Sequence, residues 1–348
     1  MAREKVLVAI SGGVDSAVTV HLLQEQGYEV YGYTFLTCGS EEDRKAVAED
    51  AKKVADFFHI PHKVEDIKDE FENTVMVYFL EQYTLGFTPN PCVYCNQVIK
   101  FPKLLTCADG MGIDKVATGH YVRAEQGIIK KASNLQKDQS YVLCQLRRRD
   151  IPRLIFPLGD YEKPKIREIA RNIGLPVAEK KDSQEICFIP NDDYRAVIRQ
   201  FPQHYKEGSF LDRDGNHLGT HQGLPFYTVG QRRGIGIAFG RPIYVTKLDG
   251  TKNAVYLGEE RDLYHRRLRI DSVNYMVDGY GDEPFRAEVK IRYLSQPVPA
   301  LVKPLQNDEA DVIFDEPQKS ITPGQYAVFY DGDVLLGGGA IQETDDTF

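Results

Sequence analysis

The stretch Ser11-Gly12-Gly13-Val14-Asp15-Ser16 decides the fold of this 348-residue chain. It follows an apolar run over residues 6–10, which predicts a buried parallel strand, and it precedes residues 17–23, which predict the first turns of a helix. A strand, a tight glycine-containing turn and a helix N-terminus direct free backbone N–H groups and the positive end of the helix dipole at one point. The stretch therefore predicts an anion-binding loop.

The residue types in this loop fit a phosphate better than a simple turn. Two glycines let the backbone approach an oxyanion closely, and Ser11 and Ser16 add hydroxyl donors. Asp15 suits a helix N-cap or a Mg²⁺ ligand. Neither the Gly-Lys-Ser/Thr of a Walker A loop nor the dinucleotide pattern G-x-G-x-x-G is present. An ordinary strand-to-helix turn is the alternative interpretation.

Composition limits the class of protein. A hydrophobic content of 42% and a charged content of 27% are typical of a globular protein, and the length predicts two or three domains. The apolar run after residue 5 is too short for a signal peptide, and no run approaches membrane-spanning length, so we expect a cytoplasmic protein without membrane contact. A net charge of −8 argues against indiscriminate nucleic-acid binding, although local basic clusters occur, such as Arg232-Arg233.

The order of predicted elements gives the fold class. Strands alternate with helices up to about residue 190, which predicts an α/β domain with a doubly wound parallel sheet. Beyond residue 200, short apolar runs separated by Asp-Gly turns predict β-rich units. We therefore expect a catalytic α/β domain over residues 1–197, a central β-rich domain over 198–265 and a C-terminal β-barrel over 266–348.

Cysteines stand out in two segments. The loop-forming sequence Thr88-Pro89-Asn90-Pro91 leads into Cys92-Val93-Tyr94-Cys95 at the start of a predicted helix. Cys187 lies in Asp182-Ser183-Gln184-Glu185-Ile186-Cys187-Phe188. Six cysteines in a chain of this length do not make a disulfide framework. Cys38, Cys107 and Cys144 lie in apolar settings and are expected to be structural, Cys38 least securely because it follows the second strand.

Several motifs in order make a family resemblance. The opening loop, the cysteine loop, Ala117-Thr118-Gly119-His120-Tyr121, Lys137-Asp138-Gln139-Ser140 and the segment ending in Cys187-Phe188 resemble those of bacterial tRNA-specific 2-thiouridylases of the MnmA type. These enzymes are PP-loop ATP pyrophosphatases, and the likeness extends to Pro323-Gly324-Gln325. It implies an enzyme that adenylates the 2-oxygen of the wobble uridine of tRNA and replaces it with sulfur.

The resemblance implies ATP and Mg²⁺ as cofactors. Adenylation turns a poor leaving group into AMP, which requires a cradle for pyrophosphate and Mg²⁺ to neutralise phosphate charge. Core packing of Phe35 and a plain turn at Gly119 are the alternative interpretations. The implied ATP contacts are Ala9, Ile10, Ser11, Gly12, Gly13, Val14, Asp15, Ser16, Phe35 and Gly119.

The resemblance also implies that Cys95 and Cys187 are catalytic. Cys187 would carry a persulfide received from a sulfur-carrier protein or a cysteine desulfurase-derived donor, and Cys95 would resolve the remaining disulfide or act as a second nucleophile. Inert buried thiols are the alternative interpretation.

Cys92 departs from the commonest family pattern, in which many members have Asp. Three cysteines, Cys92, Cys95 and Cys187, could hold a 4Fe–4S cluster with one iron open for sulfide. A redox disulfide between Cys92 and Cys95, or a spare Cys92, are the other readings that C-x-x-C leaves open.

Contacts with tRNA are implied in three regions of the chain. A structural role for His120, and solvated surface charges at Lys137 and Arg292, are the alternatives. The implied residues near the target base or tRNA are Asn90, Pro91, Cys92, His120, Lys137, Asp138, Gln139, Arg292, Tyr293 and Gln325.

Two other functions fit part of the sequence. An amidating PP-loop ligase would adenylate a small molecule and add nitrogen, without needing paired cysteines. An RNA-binding module with structural zinc would need four ligands, whereas the chain has one C-x-x-C.

Overall fold

The computed structural model describes residues 3–180, 186–237 and 240–344. Residues 182–185 of the motif before Cys187 therefore lie outside the described residues. The chain divides into two compact units. Unit 1 comprises Met1–Thr74, Cys92–Phe188 and Asp333–Leu335, and unit 2 comprises Val75–Pro91, Ile189–Gly332 and Leu336–Phe348.

Strands occupy both units, and they are numbered here in chain order. The first seven are β1 (Lys5–Ala9), β2 (Glu29–Leu36), β3 (His62–Asp66), β4 (Lys115–Ala117), β5 (Val122–Glu125), β6 (Ile128–Lys131) and β7 (Leu154–Ile155). The others are β8 (Gly208–Leu211), β9 (His217–His221), β10 (Tyr244–Asp249), β11 (Ala254–Gly258), β12 (Tyr264–Tyr275), β13 (Phe285–Lys290), β14 (Val298–Pro304), β15 (Ala310–Lys319), β16 (Tyr326–Asp331) and β17 (Val334–Thr344).

Helices of the described ranges are mostly in unit 1. They are α1 (Val14–Glu25), α2 (Glu41–Phe57), α3 (Lys68–Phe71), α4 (Val77–Thr84), α5 (Pro91–Cys95), α6 (Phe101–Gly110), α7 (Lys163–Asn172) and α8 (Tyr194–Arg199). Glu72–Met76 and Asn96–Lys100 are π-helical turns, and short 3₁₀ turns cover Ser140–Leu143, Arg148–Arg153, Pro190–Asp192, Pro202–His204, Leu224–Phe226 and Glu260–Leu263.

Unit 1 is built on a parallel sheet of order β3-β2-β1-β4-β7. Its centre is β1, where Val6, Leu7 and Val8 are fully buried on both faces, as its unbroken apolar run predicts. Val6 and Val8 join a core with α1 and α7. The loop after β1 thus lies at the carboxyl edge of the sheet, where ligands bind in such folds.

Unit 2 contains two β structures. The first is a four-stranded sheet of order β10-β11-β8-β9. The second has the order β12-β15-β14-β13-β16-β17, and β17 pairs back onto β12, which closes a six-stranded barrel. Alternating residues of these strands, including Leu268, Val302 and Phe314, fill the barrel interior.

The predicted fold class is confirmed: a parallel-sheet domain precedes two β-rich units, the second a barrel. Between residues 68 and 84 the chain forms α3, the turn Glu72–Met76 and α4 in succession. The proposed boundaries at 197 and 265 stay predictions. In the ranges described, no helix combines the length and apolar composition that a membrane crossing requires.

Candidate active site

The loop of residues 11–16, here called the PP-loop, has the geometry of an anion cradle. Gly13 is the N-cap of α1 and offers no side-chain cap, so the first N–H groups of the helix keep their capacity for a ligand. The Ser11 N–H donates to Ser16 Oγ at 3.2 Å, and Ser16 Oγ–H donates to the Gly13 carbonyl at 3.0 Å. These bonds fix the Ser16 hydroxyl inside the loop, and Ser11 Oγ lies 3.3 Å from Ser16 Oγ.

Gly12 is required at its position in the PP-loop. Its φ of 70° is in the left-handed region, and a Cβ there would lie 2.8 Å from Asp50 Cβ on α2. Lys180 Nζ reaches the same place, donating to the Gly12 carbonyl at 3.2 Å and to Asp50 Oδ2 at 2.8 Å. Asp50 was not singled out from the sequence, and Lys180 stood out only as part of the basic pair Lys180-Lys181, because a charge pattern does not show which loop a side chain reaches.

Asp15 is held by two partners that lie far away in sequence. Lys163 Nζ donates to both carboxylate oxygens, at 2.6 and 2.8 Å, and the Tyr121 hydroxyl donates at 2.7 Å. Lys163 is only 9% exposed, and its ammonium lies 5.8 Å from the centre of the Tyr121 ring. The sequence signal was the Lys163-Pro164 helix start, which indicates a helix but not this contact.

The remaining implied ATP residues lie around this loop. Ile10 and Val14 are buried, and Ala9 ends β1. Gly119 packs so closely on α1 that a Cβ would lie 3.2 Å from Asp15 C and Ser16 N. Phe35 is half-buried on β2, where its ring is 5.0 Å from that of Tyr33.

Cys92 and Cys95 lie on α5, because Pro91 starts a helical turn where its missing N–H costs nothing. Both side chains are half-buried, and burial raises the pKa of each thiol. The next turn is anchored by Asn96, whose amide donates to the Val142 carbonyl at 3.1 Å.

Cys187 lies against Cys38 rather than alone. The Cys38 thiol donates to the Cys187 carbonyl oxygen at 3.4 Å. The hydrogen bond between the two thiols raises the pKa of Cys187 and lowers the pKa of Cys38 to about 7, and the charges of Cys95 and Cys92 also raise the pKa of Cys187. Cys38, expected to be structural, thus lies in contact with Cys187.

The 4Fe–4S alternative was tested on the arrangement of its ligands. Across residues 3–180, 186–237 and 240–344, no three or more Cys, His, Asp or Glu side chains are grouped so that they could hold a metal ion. Cys92, Cys95 and Cys187 therefore do not form a cluster cradle in this arrangement, and all six cysteines are present as free thiols.

His120 is packed as a neutral ring. Its Nδ1 lies 2.7 Å from Thr118 Oγ1, and the ring stacks on Phe101 with centroids 5.7 Å apart. Burial lowers its pKa well below the ordinary value, and the nearby charge of Lys100 acts in the same direction. His120 can therefore offer a hydrogen bond but not a positive charge.

Residues 134–139 form no helix or strand, as expected, but two of them are already tied down. Asp138 is buried and accepts hydrogen bonds from the Ala132 N–H at 2.9 Å and the Ser140 hydroxyl at 2.6 Å. Gln139 Oε1 accepts from the Tyr121 N–H at 2.9 Å. Asp138 and Gln139 thus hold the segment in place before any RNA is bound.

A cationic cavity opens next to this segment in unit 1. Its volume is about 540 Å³, and its lining comprises Asn134, Gln136, Lys137, Glu162, Lys163, Pro164, Arg167 and Arg171. Four cations and one carboxylate line it, and two of the cations are already paired: Lys163 with Asp15, and Arg171 with Glu179, whose Oε1 lies 2.9 Å from Arg171 Nε. This cavity can accept phosphate groups.

In unit 2, Gln325 braces the segment that leads to Asn90 and Pro91. Its amide donates to the Thr88 carbonyl at 2.8 Å, and the Thr88 N–H donates to the Pro323 carbonyl at 2.8 Å. Asn90 is half-buried and Pro91 is buried. A positioning role for Gln325 is thus visible.

Arg292 and Tyr293 lie in the loop after β13. The Arg292 guanidinium donates to the Ser320 carbonyl and to Thr322 Oγ1, which fixes it against the turn before β16. Tyr293 is half-buried, with Lys290 Nζ 5.8 Å from its ring centre, and the adjacent Leu294 is 87% exposed.

The basic clusters of unit 2 differ in whether their arginines bind protein groups. Arg232 and Arg233 are exposed on a loop between two glycines of positive φ, Gly230 and Gly234. Arg267 and Arg269, in contrast, both donate to the buried carboxylate of Asp311. The Arg266–Arg269 cluster is therefore largely structural.

Three family profiles match the chain. Residues 4–191 match the tRNA methyl transferase HUP domain, residues 196–259 the tRNA methyl transferase PRC-barrel domain, and residues 265–341 the aminomethyltransferase beta-barrel domain. Together they span the α/β unit and both β structures.

Full-length relatives are also similar. A tRNA-specific 2-thiouridylase MnmA 2 of Clostridium botulinum strain Okra is 46% identical, covering 98% of this chain and 100% of the relative. An MnmA of Heliobacterium modesticaldum is 46% identical over 97% of this chain and 92% of its own length. An MnmA 2 of Clostridium tetani is 45% identical over 98% and 99%.

Proposed function

Because the chain belongs to the MnmA family of tRNA-specific 2-thiouridylases, we propose that it replaces the 2-oxygen of the wobble uridine in tRNA with sulfur, using ATP. The observation that carries the proposal is the presence, in one unit, of a PP-loop at an uncapped helix start and of an exposed Cys187 in contact with a second cysteine. An adenylating centre and a sulfur-delivering centre are the two parts that this reaction needs.

In the first step the uridine O2 attacks the α-phosphorus of ATP. A new O–P bond forms, and pyrophosphate leaves. The N–H groups at the start of α1 and the Ser11 hydroxyl would bind the departing pyrophosphate, while Ser16 shapes the loop through its bond to the Gly13 carbonyl. Asp15 is the carboxylate that would hold Mg²⁺, with phosphate oxygens and water as the other ligands, and the ion would neutralise phosphate charge.

In the second step sulfur displaces AMP. The terminal sulfur of a Cys187 persulfide attacks C2, the C2–O bond breaks, and AMP leaves. The Cys95 thiolate then attacks Cys187 Sγ, which releases 2-thiouridine and leaves a Cys95–Cys187 disulfide. Because Cys187 is exposed while Cys95 is half-buried, Cys187 is the thiol that a donor can reach.

The tRNA has to present its target base at this centre. The base must leave its stack to reach an enclosed site, and we infer that Asn90, Pro91, Cys92 and the neutral His120 receive it. Lys137 in the cationic cavity would bind backbone phosphate, while Asp138 and Gln139 position that segment. Arg292 and Tyr293 would contact the tRNA from unit 2, with Gln325 positioning Thr88.

The sulfur has to come from outside the chain. We infer a persulfide donor, either a sulfur-carrier protein or a product of a cysteine desulfurase, acting in the cytoplasm where tRNA is modified. The persulfide route is proposed instead of the iron–sulfur route, since the described thiols do not form a cluster cradle.

The direct test is to incubate the full chain with ATP, Mg²⁺, a persulfide donor (a cysteine desulfurase with cysteine) and unmodified tRNA, and to analyse the nucleosides by mass. We expect 2-thiouridine together with AMP and pyrophosphate, released only when tRNA is present. Absence of both nucleoside and pyrophosphate would reject the proposal, and this outcome would favour an RNA-binding module.

Cys95→Ser separates sulfur transfer from amidation. We expect persulfide-loaded Cys95→Ser protein to form little 2-thiouridine, with Cys107→Ser as the matched control because Cys107 contacts Glu65 rather than another thiol. If Cys95→Ser kept the full rate of ATP turnover to AMP and pyrophosphate, an amidating ligase that adds nitrogen would be favoured.

A further inference from the structure

Cys38 is the thiol in direct contact with Cys187, and the proposed function gives it no role. Its Sγ lies 3.4 Å from the Cys187 carbonyl oxygen, although 149 positions separate the two residues. We propose that Cys38 is a third thiol of the sulfur-transfer cycle, which attacks Cys187 Sγ in the Cys95–Cys187 disulfide and releases Cys95. This inference rests on the proposed function.

The surroundings hold the two thiols together. Cys38 follows β2 at the carboxyl edge of the sheet, where Thr37 Oγ1 donates to its sulfur at 3.6 Å. On the other side, Phe188 is buried next to Cys187, and its ring packs edge-on against Phe71 at 5.8 Å. Both residues are thus anchored by neighbours within unit 1.

Exposure separates this pair from Cys144, and the contact with Cys187 separates Cys38 from Cys107, which is half-buried as well. Cys187 is exposed and Cys38 is half-buried, so a reductant can reach a bond between them. Cys144 is fully buried, and Cys107 lies 3.9 Å from Glu65 Oε2. A thiol that lay near Cys187 only for packing would not need a route to solvent.

The proposed exchange balances without an added oxidant. The Cys38 thiolate attacks Cys187 Sγ, the Cys38–Cys187 bond forms, the Cys95–Cys187 bond breaks, and Cys95 leaves as a thiolate. An external dithiol then reduces the Cys38–Cys187 disulfide to two thiols and is itself oxidised to a disulfide. Each turnover thus consumes two electrons from the dithiol, and Cys95 is ready again before the dithiol acts.

Disulfide mapping after a single turnover tests this exchange. Persulfide-loaded protein is mixed with ATP, Mg²⁺ and tRNA without reductant, alkylated with iodoacetamide, and digested without reduction for mass analysis. We expect a Cys38–Cys187 linked peptide in the wild type and a Cys95–Cys187 peptide in Cys38→Ser. If 2-thiouridine forms and the wild type contains only Cys95–Cys187, the inference is overturned.

The same experiment keeps the two proposals apart. If no 2-thiouridine forms, the proposed function fails. Oxidation of resting protein with one equivalent of diamide then tests Cys38 by itself, and a Cys38–Cys187 bond is expected. A Cys92–Cys95 bond without any Cys38–Cys187 bond would overturn the inference.

The burst and steady-state rates of product formation provide a second measurement. With dithiothreitol limiting, we expect Cys38→Ser to produce a burst of product followed by a steady state at least tenfold slower than that of the wild type. Cys107→Ser is the control and should match the wild type in both phases. An unchanged steady state in both Cys38→Ser and Cys38→Ala would contradict the role of Cys38.

Discussion

At the residue scale, Asp15 is neutralised by protein groups that converge on its carboxylate. Lys163 contacts both oxygens and Tyr121 contacts one, so the negative charge is compensated at the place where a triphosphate would bind. A charge-assisted hydrogen bond of this kind contributes about 1.5–3 kcal/mol. Lys163 therefore positions Asp15 and reduces repulsion of phosphate.

Replacing Lys163 should weaken adenylation. In Lys163→Met the Asp15 carboxylate would face the phosphates without its cation, and we expect tRNA-dependent pyrophosphate release to fall about 30- to 100-fold, corresponding to about 2–3 kcal/mol. Lys165→Met is the matched control, because Lys165 pairs only with exposed Glu168, at 2.7 Å on the same helix. Equal rates in the two variants would show that Lys163 has no part in this step.

At the element scale, the barrel contains a charge cluster that joins two of its strands. Asp311 of β15 is 4% exposed and accepts hydrogen bonds from Arg267 and Arg269 of β12. Burial alone would raise the pKa of the Asp311 carboxyl, but the bonds from Arg269 and Arg267 outweigh it and lower the pKa below its ordinary value. The cluster therefore stabilises the β12–β15 pairing while Asp311 is ionised.

Asp311→Asn should destabilise the folded protein by about 2–3 kcal/mol at pH 7, somewhat less than a fully buried pair because the arginines are partly exposed. The native pKa is lowered, so this stability is present above about pH 4 and is lost as the pH falls through the native pKa. Urea unfolding should thus show a free energy of unfolding well below that of the wild type at pH 7, and a smaller difference between the two proteins at pH 3.

Asp315→Asn is the control for the barrel measurement. Its partner is Arg286, and both side chains are at least half exposed, so solvent screens the pair and a clearly smaller loss than in Asp311→Asn is expected. If Asp311→Asn cost no more than Asp315→Asn, the buried cluster would not contribute to barrel stability.

At the scale of the whole molecule, an acidic chain has to bind a polyanion. The net charge of −8 makes general attraction to tRNA unfavourable, so binding must depend on local basic surfaces. In unit 1 the cationic cavity is one such surface, and in unit 2 the exposed Arg232-Arg233 loop is another.

Arg232→Ala should weaken tRNA binding and reduce the slope of log K against log salt by about 1, because one phosphate contact releases about one counterion. Arg261→Ala is the matched control, since Arg261 is equally exposed but lies 3.2 Å from Glu259 Oε2. Binding titrations between about 50 and 200 mM salt provide the slopes. An unchanged slope would remove Arg232 from the tRNA footprint.

The sequence by itself determined the fold class and the place of the PP-loop. Both depend on local signals: an apolar run buried on both faces in β1, helical spacing in α2, and glycines where the chain turns at residues 12 and 13. Periodicity and turn chemistry act over a few residues, so they can be read without knowing how the chain closes.

Only the tertiary structure decided which groups meet. The bonds of Lys163 to Asp15 and of Cys38 to Cys187 join residues 148 and 149 positions apart, and no local pattern specifies either pair. The same holds for Asp138, which lies in a polar segment of the sequence but is buried and accepts hydrogen bonds from Ala132 and Ser140. Contacts between residues so far apart in sequence are formed when the helices pack on the sheet, and local sequence patterns do not specify them.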